Sequence, residues 1–147
     1  MKRSEGFVMG QAVQNSVRLK ALLQASLYHR SHHMKIEHLI SGGVAILRPS
    51  GSLIGSEETD ELRRGLTQLH EQGNLRAIID LGRVPYLNSA GLGVLIGAFN
   101  EYKKRGGQVK LCNLSNKAEN VFVLTKLTQI FDIYPNEKEA LASFAGR

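Results

Sequence analysis

From residue 34 onward, apolar positions switch between the short runs of strands and the three-to-four spacing of helices. Lys35–Ile40 and Val44–Pro49 read as two strands, and Ser41-Gly42-Gly43 between them is a hairpin turn signal. Ser50 to Gly55 reads as a loop. Ser56 then stands where a helix cap belongs, with Glu57, Glu58 and Asp60 near the positive end of the helix dipole. Leu62, Leu66 and Leu69 mark the buried face of that helix, and Gln72-Gly73-Asn74 stops it. Leu75–Leu81 is an apolar run suited to a sheet centre covered on both faces.

Residues 82–88 form a loop containing Pro85. A second helix follows from about Ala90 to Arg105, its buried stripe carried by Leu92, Leu95, Ile96, Phe99 and Tyr102. Lys103-Lys104-Arg105 followed by Gly106-Gly107 ends it with cations and then glycine. Gln108–Asn113 is a further apolar strand. Ser115 caps a helix bearing Ala118, Val121, Phe122 and Thr125, Ile130–Tyr134 is a last strand, and Asn136 with Glu139 opens a final helix through Phe144. The order β-β-α-β-α-β-α-β-α predicts an α/β domain. Its sheet is small, mixed but largely parallel, with about five strands flanked by four helices.

Composition narrows the class. With 147 residues and 42% hydrophobic content, the chain is long enough for one domain with a real core. No uncharged apolar run approaches the ~20 residues of a spanning helix. A single cysteine excludes an internal disulfide framework and a multi-cysteine zinc site, so a cytoplasmic setting is expected. The net charge of +6 is mostly local, since residues 1–33 carry Lys2, Arg3, Arg18, Lys20 and Arg30 against Glu5 alone. That segment reads as a basic extension. It is either a flexible arm with a short leucine-bearing helix or a translated stretch upstream of a start at Met34, and residues 34–147 form the domain. His29, His32 and His33 cluster there without a carboxylate, so no metal site is expected. No basic stripe or aromatic stacking set marks the body, so neither nucleic acid nor membrane is an expected partner.

The informative segment runs from Asp80 through Gly97. A buried strand ends, a loop turns over, and Ser89 sits where the next helix begins. Read structurally, Ser89 is an N-cap. Read functionally, it is a phosphoacceptor, because a phosphate placed there would meet backbone N–H groups and the positive dipole end. The added charge would repel a partner docked over the turn without remodelling the domain. Glycines at 91, 93 and 97 weaken a helix and need a reason, such as a close approach.

Asn88-Ser89-Ala90-Gly91-Leu92-Gly93 resembles the Asp-Ser-Ser/Thr-Gly-Leu-Gly signature of bacterial anti-sigma factor antagonists, single-domain members of the STAS group. Gly51-Ser52-Leu53, the Ile-Ile-Asp-Leu strand, Gly106-Gly107 and the Ser115 helix start extend the resemblance over about residues 34–147. The resemblance implies a STAS-like fold and partner switching in transcription regulation. The unphosphorylated antagonist binds an anti-sigma factor, often a serine kinase using Mg-ATP. Phosphorylation on the residue matching Ser89 releases it, and a phosphatase resets it. Arg83, Tyr86, Asn88, Ala90, Gly91, Leu92, Gly51 and Ile54 are then the expected partner-binding residues. The chain itself is expected to be no enzyme and to hold no cofactor, and its oligomeric state is open. Two positions depart from the signature: Asn88 replaces its acidic residue, and Ile54 stands where another acid usually follows the glycine-x-leucine turn.

Other chemistries fit less well. A hydrolase elbow needs Gly-x-Ser-x-Gly, but position 87 is Leu and no histidine follows Ser89. The Gly91-x-Gly93 pair with Gly97 is one residue too long for a dinucleotide loop. Cys112 reads as a buried small hydrophobe. The alternative from a different class is a STAS scaffold or binding subunit of a signalling or lipid-transport assembly, in which Ser89 is never modified.

Overall fold

The computed structural model describes residues 34–145. The basic extension, its leucine helix and the histidine cluster all lie outside the described residues. Two strands, β1 (Lys35–Ser41) and β2 (Val44–Ser50), pair antiparallel across the glycine turn. There follow α1 (Ser56–Glu71), β3 (Arg76–Asp80), α2 (Ser89–Lys104), β4 (Gln108–Cys112), α3 (Asn116–Leu124), a single 3-10 turn (Leu127–Gln129), β5 (Asp132–Tyr134) and α4 (Glu137–Ala145). The sheet order is β1-β2-β3-β4-β5, with every pair after the first parallel.

This order fixes where the helices go. Each parallel strand is added on the same side of the last, and right-handed crossovers then bring α1, α2 and α3 to one face of the sheet. The larger core lies there, joining Ala45, Leu47, Ala77, Ile79, Val109 and Leu111 of the strands to Leu62, Leu66, Leu69, Leu92, Leu95, Tyr102, Ala118 and Phe122. Helix α4 follows the last strand, is free of a crossover, and covers the opposite face. There Ala140 and Phe144 meet Val44, Ile46, Ile78 and Cys112. β3 is thus covered on both faces, as its unbroken apolar run predicts.

Several boundaries move. The cap of α1 is Gly55, in extended conformation with no side-chain hydrogen bond, and Ser56 is the first helical residue. Residues 130–131 are taken by the end of the 3-10 turn, which shortens β5 to residues 132–134. Ser115 caps α3 as expected, its Oγ accepting from the Ala118 amide at 3.2 Å. Asn136 Oδ1 accepts from the Glu139 amide at 2.9 Å.

The α4 face also holds two polar features that periodicity does not reveal. Lys110 is 1% exposed; its Nζ donates to Ser143 Oγ at 2.7 Å and lies 4.1 Å from the Phe144 ring centroid. Arg48 grips Glu137 through two bonds of 2.7 Å, tying α4 to β2. Among the described residues no helix is long and apolar enough to cross a membrane.

Candidate functional site

The loops after β2, β3 and β4 all emerge at the carboxyl ends of parallel strands, where open α/β sheets present their sites. Two of these loops run side by side and prolong the sheet. Gly51 N donates to Arg83 O at 3.0 Å, Leu53 N to Tyr86 O at 2.8 Å, and Asn88 N to Leu53 O at 3.2 Å. Gly51 has φ +122, a backbone region that favours glycine, and this bends the first loop alongside the second. Residues 51–54 are therefore brought against 83–88 although about 30 positions separate them in sequence.

Asn88, not Ser89, caps α2. Its Oδ1 accepts from Ala90 N at 3.0 Å and from Gly91 N at 3.3 Å, while its Nδ2 donates to Ile54 O at 3.0 Å. The capping role expected of Ser89 is thus overturned, because the residue before it already fills that position. Ser89 becomes the first helical residue. It is exposed, and among the described residues its hydroxyl and amide have no hydrogen-bond partner. The picture of several open amides beneath a phosphate is also corrected, since Asn88 takes those of Ala90 and Gly91. No acidic side chain lies in the first turn of α2.

Ser89, Ala90, Asn88, Ile54, Tyr86, Arg83 and Gly51 are all exposed, Ile54 and Tyr86 by 54% and 50%. Gly91 and Leu92, by contrast, are buried. Gly91 shows why. A Cβ there would stand 2.7 Å from the Leu53 carbonyl oxygen and 3.3 Å from Leu87 Cβ. Only glycine lets the helix start lie on the Leu53 loop. Gly93 and Gly97 have no such reason, since a Cβ at either meets nothing within 4 Å.

Two contacts escape the sequence reading. Lys117, on α3, places its Nζ 3.1 Å from Tyr86 Oη and 4.5 Å from that ring's centroid. Ser115 Oγ lies 3.5 Å from Pro85 O. The start of α3 thus borders the exposed turn, and no motif spacing links positions 86 and 117. Below the turn, Asp80 Oδ1 accepts from Gly82 N at 2.9 Å and Oδ2 from Asn113 Nδ2 at 3.0 Å, fastening the loops after β3 and β4. Burial, and then the neighbouring Glu137, push the Asp80 carboxyl above its ordinary range. Arg83 is held loosely, 3.6 Å from Glu37 on β1.

The fold is a five-stranded mixed sheet with helices on both faces, and an exposed serine stands at the start of α2. The STAS domain model matches residues 35–140, and the chain belongs to the STAS domain family. An anti-sigma-B factor antagonist of Bacillus subtilis is 48% identical over 73 residues, which are 49% of this chain and 65% of that protein. The match therefore spans just under two thirds of that relative's length. An anti-sigma F factor antagonist of Paenibacillus polymyxa is 27% identical over 110 residues, covering 74% of this chain and 93% of that one. The crystal structure of a Thermotoga maritima protein, provisionally described as an anti-sigma factor antagonist, superposes with a TM-score of 0.70 at 26% identity, covering 74% of this chain and 92% of that chain.

Proposed function

We propose that this domain is an anti-sigma factor antagonist. In its unmodified form it docks on an anti-sigma factor through the turn at Ser89, and esterification of Ser89 releases it. The observation that carries the reading is the free, exposed Ser89 hydroxyl beside a helix N-terminus capped by another residue. Because the cap is Asn88, modifying Ser89 removes no bond that holds α2 together, and the fold survives. The Ser89 amide and the dipole favour the added anion. A partner resting on Ile54 and Tyr86 would have to bury that charge, which is costly without a counter-ion.

The transfer itself constrains the partner. Ser89 Oγ attacks the γ-phosphorus of Mg-ATP, its bond to the β-bridging oxygen breaks, and ADP leaves. The hydroxyl proton needs a base. Asn88 cannot take it, and no carboxylate lies in the first turn of α2. In this reading the base belongs to the kinase, which is the anti-sigma factor itself, and a separate phosphatase hydrolyses the ester.

Asn88 also favours a second reading, a STAS scaffold in which this turn is never modified, because its side chain serves as cap through Oδ1 and as tether through Nδ2. Incubation with serine kinases of the source cell and ATP, followed by mass-spectrometric mapping, separates the two. Phosphate on Ser89 is expected. A fully unmodified Ser89 under conditions that phosphorylate a control antagonist favours the scaffold.

A further inference from the structure

Gly93 and Gly97 weaken α2, and nothing inside the fold requires them, because the space where their side chains would be is open. They form one lip of a groove between α1 and α2 with a volume of about 480 Å³, within the roughly 300–1,000 Å³ usual for small-molecule sites. Leu66, Val94 and the ring of Tyr102 give it an apolar wall, bordered by the polar Thr67, Asn100, Glu71 and Glu101. The Tyr102 hydroxyl is already committed, donating to Leu66 O at 3.3 Å.

His70, on the same wall, is 7% exposed and packs 4.9 Å from the Tyr102 ring. Its Nε2 is buried and has no hydrogen-bond partner among the described residues. A buried polar atom left in this state is unfavourable, and native folds nearly always satisfy such an atom. At the rim, Arg63 is tied to Asp60 and Lys104 to Glu101, whereas Arg105 and the exposed carboxylate of Glu71 make no ion pair among the described residues. Within one groove there are thus a flat shelf without side chains, an apolar wall, an unsatisfied imidazole nitrogen and an available guanidinium.

We propose that the α1–α2 groove is a binding site for a small organic anion with a flat apolar body. The body lies across Gly93 and Gly97 against Leu66 and Val94. Its anionic head pairs with Arg105 and hydrogen-bonds to His70 Nε2. The proposal is independent of whether Ser89 is phosphorylated.

The test is an amide NMR titration of the full chain with anilinonaphthalene sulfonate, which has an aromatic body and an anionic head. Saturable shifts centred on Gly93, Gly97 and His70 are expected. Gly97→Leu fills the shelf and should weaken binding by roughly tenfold or more while the melting temperature holds or rises; Gly97→Ala is the milder control. His70→Gln should weaken binding several-fold with an unchanged circular dichroism spectrum. Shifts centred instead on the exposed Val123 and Leu124, or equal affinity in Gly97→Leu, would mean an adventitious dye contact only and overturn the proposal. Loss of protein-partner capture in Gly97→Leu, with no dye binding to the unsubstituted protein, would also overturn it and make the groove a protein-docking face.

Discussion

Exchanging Gly91 and Gly97 for alanine, one at a time, separates two uses of glycine within a single helix. At position 91 the new methyl would sit 2.7 Å from the Leu53 carbonyl oxygen and 2.8 Å from Leu53 Cβ, far inside van der Waals contact. Neither atom is the end of a flexible chain, and Leu53 is 0% exposed, so the loop or the helix start must move. Forced overpacking costs about 1–3 kcal/mol. Movement also strains the Leu53–Tyr86 and Asn88–Leu53 backbone bonds, each worth about 1 kcal/mol. Against this stands a helix-propensity gain of up to ~1 kcal/mol. The net is a loss of about 2 kcal/mol for Gly91→Ala. At position 97 the methyl meets nothing within 4 Å, so only the propensity gain remains and Gly97→Ala should be more stable by up to ~1 kcal/mol. The two variants should differ by about 3 kcal/mol, a separation of roughly 1–3 M in urea midpoint for a domain of this size. Urea unfolding followed by circular dichroism measures it. If Gly91→Ala unfolds at or above the midpoint of Gly97→Ala, the close approach of α2 to the Leu53 loop is refuted.

Three further outcomes follow from the same contacts. Asn88→Ala removes the α2 cap and the tether to Ile54 and should lower stability by about 1–2 kcal/mol, whereas Ser89→Ala should change it little; urea midpoints decide. For Glu137, the bond to Arg48 holds the carboxyl down at about 2 against an ordinary 4.5, so the stability it adds is fully present above 4.5 and is lost as pH falls toward 2. The stability gap between the native protein and Glu137→Gln should therefore be widest at neutral pH and close across that acid window. Asp80, shifted upward, acts in the opposite direction and softens the decline, and a gap constant with pH would refute the pairing. Cys112 is 0% exposed and its thiol is pushed up to about 12, chiefly by burial, so it should resist alkylation until the domain unfolds in denaturant.

Much of this architecture was legible because its signals are local. The hairpin glycines, the Leu62-Leu66-Leu69 stripe and the unbroken β3 run each follow from one element's own periodicity. The strand order and the placing of three helices on one face were not read from the sequence and come from the structure. The cap of α2 was misread for a physical reason. Asn and Ser are both good caps, and the choice between them depends on the Ile54 carbonyl, which lies 34 positions away and reaches Asn88 only through loop pairing. Lys117 beside Tyr86 and the buried Lys110 under Phe144 are likewise tertiary facts with no trace in spacing. The glycine puzzle was visible in sequence, but only the positions of neighbouring atoms split it into a packing glycine at 91 and a surface pair at 93 and 97.

The central claim is that the Ser89 hydroxyl controls docking while contributing nothing to the fold. Quantitative capture of the anti-sigma factor by immobilised native protein, Ser89→Ala and Ser89→Asp tests it most directly, with circular dichroism run on all three. The expected result is equal capture by the native protein and Ser89→Ala, capture weakened at least tenfold by Ser89→Asp, and three superimposable spectra. Undiminished capture by Ser89→Asp, or a collapsed spectrum for Ser89→Ala, would contradict the account.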